Sequence, residues 1–195
     1  MAHHSKLNVW EQTWELDEAQ CPCDIHLLEW IDSQAVSDAA VFHFGTGVHH
    51  LVGIENARPT RRNAVLGITA SVEEYSAYES LIMERPDVHR YYTAVFGDIY
   101  LINDALLPQF DVVTLFHLCE FRTAKNDAYG AHTDLELATL LTRQTRRGGH
   151  ILFYANSSAF ERADSRVREV LESWERDCDV ERAADFKTLI VYRKR

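Results

Sequence analysis

Phe42-His43-Phe44-Gly45-Thr46-Gly47-Val48-His49-His50 decides the reading of this sequence. An apolar strand ends at two glycines one residue apart and gives way to a helix. Open α/β sheets bind a ligand's polar groups at such a junction, against free backbone N–H groups. Glycine at 45 and 47 permits a tight turn and a close approach of backbone to ligand. Many α/β proteins also use glycine there only to join strand to helix, so the turn by itself leaves both readings open.

Outward from this turn, short apolar strands alternate with stretches of helical period, the rhythm of βαβ units and a parallel sheet. Upstream, Trp10 and Trp14 lead to a helix that starts near Asp24, a plausible N-cap, and carries Ile25, Leu27, Leu28, Trp30 and Ile31. Downstream of the first strand, residues 41–44, the second strand covers 64–68. Ser71-Val72-Glu73-Glu74 then has the form of a capping box, opening a helix to about Glu84 that Pro86 closes. Residues 92–96 and 111–116 read as the third and fourth strands, the latter apolar throughout, as in a sheet covered on both faces. Thr133-Asp134-Leu135-Glu136 is a second capping box, and its helix is expected to run to about Arg146 and stop at Gly148-Gly149. The fifth strand covers 150–154. Phe160, Ala163, Val167, Val170, Leu171 and Trp174 recur at helical offsets and mark one long amphipathic helix. Two last strand-like runs, 180–182 and 187–192, are separated by only residues 183–186. That connection cannot hold a crossover helix, so the two runs must pair antiparallel. The expected architecture is α/β, five parallel strands closed by an antiparallel hairpin.

Composition bounds the function. The 195 residues are 46% hydrophobic and 26% charged, with no linker or repeat, which predicts one domain with its own core. Twenty Lys and Arg against 30 Asp and Glu give a formal charge of -10, opposing the counterion-releasing attraction that dominates nucleic-acid binding. No nucleic-acid partner is expected. No apolar run approaches the ~20 residues of a membrane span, and Met1 to Lys6 carries no apolar signal stretch, so a cytoplasmic protein with no membrane partner is expected. The cysteines at 21, 23, 119 and 178 read as reduced thiols. Cys21-Pro22-Cys23 has no second Cys or His pair at ligand spacing, and His49 and His50, adjacent on a helix, point ~100° apart, so no metal site is expected.

Taken in order and spacing, several motifs resemble the class I S-adenosylmethionine-dependent methyltransferases over about residues 24 to 195. They are His43-Phe44-Gly45-Thr46-Gly47, Gly67-Ile68-Thr69-Ala70-Ser71, Gly97-Asp98, Leu107-Pro108 before Phe110-Asp111-Val112-Val113, Arg147-Gly148-Gly149-His150-Ile151-Leu152, and the closing hairpin. The resemblance implies a Rossmann-like three-layer sandwich with a mostly parallel seven-stranded sheet. Residues 1–35 would form a helical or lid segment and 36–195 a cofactor-binding core. It implies S-adenosylmethionine as cofactor, held by Phe44, Gly45, Thr46, Gly47, Thr69, Asp98 and Ile99. The glycines would lie under its methionine part, the end of the second strand would meet its ribose, and Asp98 would accept from the adenine amino group. The sequence departs from the family pattern at three places: His43 and Thr69 stand where an acid is usual, and His49 where a third glycine is usual.

Methyl transfer to a hydroxyl or amine is helped by a base with a pKa near neutral. His117 and Glu120, just past the fourth strand, resemble the family's catalytic-side motif, with Phe121 in place of its histidine, and are the expected catalytic residues. His49 and Trp14 are the expected contacts of a small-molecule acceptor, and His50 the expected packing or capping residue. Two other functions fit less of the chain. A methyltransferase-like binding protein without catalysis would explain the three departures. A nicotinamide-dependent oxidoreductase would require a small residue at His50 and an acid closing the second strand.

Overall fold

The computed structural model describes residues 6–161 and 165–195; Met1 to Ser5 and Ala163 lie outside the described residues. In chain order the elements are α1 (Cys23–Ser33), β1 (Ala40–Phe44), α2 (Leu51–Asn56), β2 (Ala64–Thr69), α3 (Val72–Glu84), α4 (Pro86–His89), β3 (Tyr92–Phe96), β4 (Phe110–Thr114), α5 (Ala124–Asp127), α6 (Asp134–Gln144), β5 (Thr145–Tyr154), α7 (Ser158–Glu161), α8 (Ser165–Asp177), β6 (Val180–Arg182) and β7 (Leu189–Lys194).

All seven strands form one sheet in the order β3-β2-β1-β4-β5-β7-β6. The first five in that row are parallel, while β7 runs antiparallel to both β5 and β6. This is the expected fold, a seven-stranded Rossmann-like sheet closed by an antiparallel pair. Strand order reverses between β1 and β4, which makes the carboxyl ends of these two strands the natural crevice.

The continuous apolar strands feed two cores because side chains alternate across the sheet. Val41, Val65, Val112 and Leu152 pack on one face with Leu27, Trp30 and Ile31 of α1, Val52 of α2 and Tyr78 of α3. Phe42, Val113, Ile151 and Phe153 pack on the other with Leu137, Leu141 of α6 and Trp174 of α8. Trp30 is thereby a core residue, and so is Tyr92. None of the described helices is long and apolar enough to cross a membrane.

Four local expectations are corrected. Asp24 does not cap α1: Pro22 holds the N-cap position and Asp24 lies in the first turn, with no side-chain cap. The Thr133 box closes on both sides, but the Ser71 box does not: Ser71 accepts from the Glu74 backbone N–H, while the Glu74 side chain turns away toward Thr69. Helix α6 ends at Gln144, because Thr145 is extended and its hydroxyl donates to the Leu141 carbonyl at 2.9 Å. Gly148-Gly149 therefore lies inside β5, where Gly148, at φ +79°, sits in a bulge that sets residues 146–149 against the single residue Asp111 of β4. Finally, the fourth strand ends at Thr114, two residues early.

Candidate active site

A cavity of about 500 Å³ opens at the carboxyl ends of β1 to β4, within the size range of small-molecule and cofactor sites. Its walls carry Phe44, Gly45 and Gly47 after β1, Thr69 after β2, Asp98 and Ile99 after β3, and His117 and Glu120 after β4. His49 and Trp14 line it as well. Of the expected site residues only Thr46 stays off the wall. It is buried beneath, with its hydroxyl donating to Glu74.

Residues 7–20 cross the mouth as a strap. The Asn8 amide donates to the Phe121 carbonyl at 2.9 Å and to Asn126 at 3.0 Å. The Trp10 N–H donates to the Ala70 carbonyl, and the Trp14 carbonyl accepts from Val48 at 2.9 Å. Trp10, Phe44 and His117 pack edge-on against Phe121, an aromatic wall at the histidine's replacement. Gly47, at φ +56°, lets the strap come this close: a Cβ there would stand 2.9 Å from the Trp14 carbonyl and 2.5 Å from His49 Nε2.

Two carboxylates that sequence reasoning missed stand beside two of the departures. Glu74, reaching back from α3, accepts from the Thr69 hydroxyl at 2.5 Å and the Thr46 hydroxyl at 3.3 Å, and the Trp14 N–H faces it. Burial raises its pKa, with these hydrogen bonds opposing the rise. Asp24, at the start of α1, lies 3.6 Å from His43 Nε2 and 3.8 Å from His49 Nε2. Burial pushes its carboxyl up to about 7, against the pull of His117. Each acid missing from a strand end is thus present in space, supplied by a helix. The Ser71-x-x-Glu74 spacing was the one signal for Glu74, and it pointed to a cap.

His117 and Glu120 meet, Nδ1 to carboxylate at 3.1 Å. Burial alone lowers the pKa of His117, but the hydrogen bond and charge of Glu120 outweigh it and the net shift is upward. Glu120 moves down: burial opposes the shift, and His117 together with the backbone N–H groups of Ser158 and Ala159 overcomes it. The two side chains form a hydrogen-bonded pair on the cavity wall. Cys21 and Cys23 are drawn to the same wall, their sulfurs 3.5 Å apart. The Cys23 thiol, hydrogen-bonded to Cys21, lowers the Cys21 pKa to about 6.

Asp98 caps the 3-10 turn after β3, accepting from the Tyr100 N–H at 3.0 Å, from Asn126 Nδ2 at 2.7 Å and from the Tyr129 hydroxyl. Its carboxylate therefore fastens the strap's anchor as well as lining the cavity. His50 packs as expected: in left-handed conformation before α2, it bonds Tyr92 at 2.7 Å and the Glu74 carbonyl at 2.9 Å, and burial lowers its pKa to about 4.

No family model and no curated protein matches the sequence. Solved structures do. A precorrin-6y C5,15-methyltransferase from Geobacter metallireducens is similar over 99% of this chain and 100% of its own, at 12% identity and TM-score 0.59. The N-methyltransferase NodS from Bradyrhizobium japonicum, solved with S-adenosyl-L-homocysteine, is similar over 87% and 84%, at 12% identity and TM-score 0.56. The cyclase SpnF is similar over 92% and 66%, at 16% identity and TM-score 0.57. Across such neighbours the chain spans from 44% to the whole of their length. At these identities the likeness is one of fold, and the chain has the fold of the class I S-adenosylmethionine-dependent methyltransferases.

Proposed function

We propose that the chain transfers a methyl group from S-adenosylmethionine to an oxygen or nitrogen of a small-molecule acceptor. The observation that carries this reading is the cavity itself. Residues drawn from four strand ends, chosen from sequence for cofactor, acceptor and catalysis, share one wall at the crevice of the sheet. Fold alone would not carry it, since the neighbours include a cyclase.

The residues fit an adenosyl ligand. Glu74 offers a buried carboxylate beside Thr69, where ribose hydroxyls would need acceptors, and Asp98 and Ile99 bound the adenine end. Gly45 and Gly47 line the wall where the methionine end would lie. When bound, the cofactor supplies an electrophilic methyl group. The protein's part is to hold the acceptor in line, exclude water with the strap, and take the acceptor's proton at His117, which Glu120 orients.

Calorimetry with S-adenosylhomocysteine, S-adenosylmethionine, NAD and NADP tests the reading. The adenosyl ligands should bind and the dinucleotides should not. A second reading, a binding protein without catalysis, draws on the strap, whose Trp14 carbonyl is bonded to the glycine turn. No heat with either adenosyl ligand at millimolar concentration would select it.

A further inference from the structure

We propose that Cys21, Cys23 and His117 bind one zinc-class divalent ion, with a fourth coordination position open to the cavity. Among the described residues these three form a group whose ligand atoms all lie within 4.8 Å of one another. Sequence spacing gives the Cys-Pro-Cys pair no partner; the fold brings one from 94 residues away, at the end of β4.

The geometry matches a tetrahedral ion. Two sulfurs each ~2.3 Å from one zinc at the tetrahedral angle lie ~3.8 Å apart. Here they are 3.5 Å apart before any ion has drawn them into place. The scaffold holds them there: the Cys21 N–H donates to the Asp17 carbonyl at 2.8 Å, Pro22 fixes the turn, and Cys23 is the first residue of α1. His117 is equally set. Its Nδ1 is bonded to Glu120, which leaves Nε2 as the ligand atom and supplies the carboxylate partner that metal-bound histidines usually have.

Two thiolates and an imidazole select zinc over magnesium or calcium, which prefer oxygen. Three protein ligands with an open fourth position are also the pattern of reactive rather than structural zinc. All three line the cavity, so the open position faces the ligand space and would take water or the heteroatom of a bound acceptor. On binding, each cysteine gives its proton to solvent and no redox change occurs. This inference stands apart from methyl transfer, because it rests on the three side chains alone. Where both hold, metal-bound His117 has no free nitrogen for the base role, and the ion would acidify the acceptor instead.

The test uses the full chain, purified under reductant, stripped with a chelator and titrated with Zn²⁺ or Co²⁺. One ion per chain is expected, with sulfur-to-cobalt charge-transfer absorption and intense tetrahedral d–d bands. The Cys21→Ser/Cys23→Ser double variant should lose those bands and weaken binding more than a hundredfold. Glu120→Gln should keep the bands and weaken binding ~10–100-fold. Melting of the metal-free variants beside metal-free wild type establishes that they are folded. Stoichiometric zinc retained by the double variant would overturn the proposal by moving the ion elsewhere, for example to His3 and His4. Cobalt bound without the sulfur band, or no binding by reduced wild type, would overturn it equally.

Discussion

Replacing Glu74 by glutamine separates what the apo fold wants from what a ligand wants. In the structure this carboxylate is 3% exposed, takes two threonine hydroxyls, and sits on the cavity wall. Burial raises its pKa, so an ionised Glu74 is held at a cost to the folded state. Glutamine keeps the shape and one oxygen to accept from Thr69 while removing that cost, so the ligand-free variant should melt at or above the wild-type temperature. A ribose hydroxyl, however, loses a charged acceptor worth ~1.5–3 kcal/mol, which is roughly a ten- to hundredfold rise in Kd. The two effects have opposite signs, a pattern expected of a functional group and not of a structural one. Thermal melting without ligand and calorimetry with S-adenosylhomocysteine, on the same preparation, read both. An unchanged Kd would remove Glu74 from the site. A lower melting temperature with unchanged Kd would make it a purely structural acceptor for Thr69 and Thr46.

Three further outcomes are expected. Asp98→Ala strands the Tyr100 N–H, the Asn126 amide and the Tyr129 hydroxyl, so urea unfolding should show a loss of ~3 kcal/mol and protease should open the strap; a loss near zero would mean the three donors re-pair. Gly47→Val forces a β-branched residue to φ +56° against the Trp14 carbonyl and His49, and should weaken S-adenosylhomocysteine binding more than tenfold; wild-type affinity in the folded variant would place the ligand elsewhere. For His50 the folded pKa, about 4, lies below the ordinary 6.5, so the folded state binds fewer protons and loses stability as pH falls through that window. Wild type should therefore lose ~3 kcal/mol relative to His50→Gln between pH 6.5 and 4. Asp24, pushed to about 7, acts in the opposite direction but cancels in that difference, and a pH-independent difference would refute the assignment.

The fold was legible because its signals are local. Strand period, the Thr133 box and the residues 183–186 connection each act within a few positions, and together they gave the parallel strands and the closing antiparallel pair. The errors were local too, and two of them came from a side chain with two possible partners. Glu74 could close a cap or reach Thr69, and it reaches Thr69 because there it satisfies two buried hydroxyls, while the Ser71 N–H that a closed box would take already donates to the Thr69 hydroxyl oxygen at 3.0 Å. Thr145 could extend a helix or end it, and its hydroxyl finds the Leu141 carbonyl as the chain turns extended.

The site was legible only where the chain passes straight through it. Gly45, Gly47, Thr69, Asp98 and His117 each follow a strand, so the topology alone places them at one crevice. What the sequence hides is the chemistry that arrives from outside the sheet. A linear comparison sees His43 and Thr69 as losses, since it compares position by position. In space a carboxylate stands against each, Asp24 from the helix before β1 and Glu74 from the helix after β2. An acid moved from a strand end to a neighbouring helix keeps its carboxyl group at the same end of the sheet, while the strand position is freed for a neutral partner that it bonds or faces. Cys21 and Cys23 follow the same logic, since their third partner comes from the turn after β4. The departures at His43 and Thr69 therefore do not by themselves argue for a decayed site, because a carboxyl group stands within 4 Å of each.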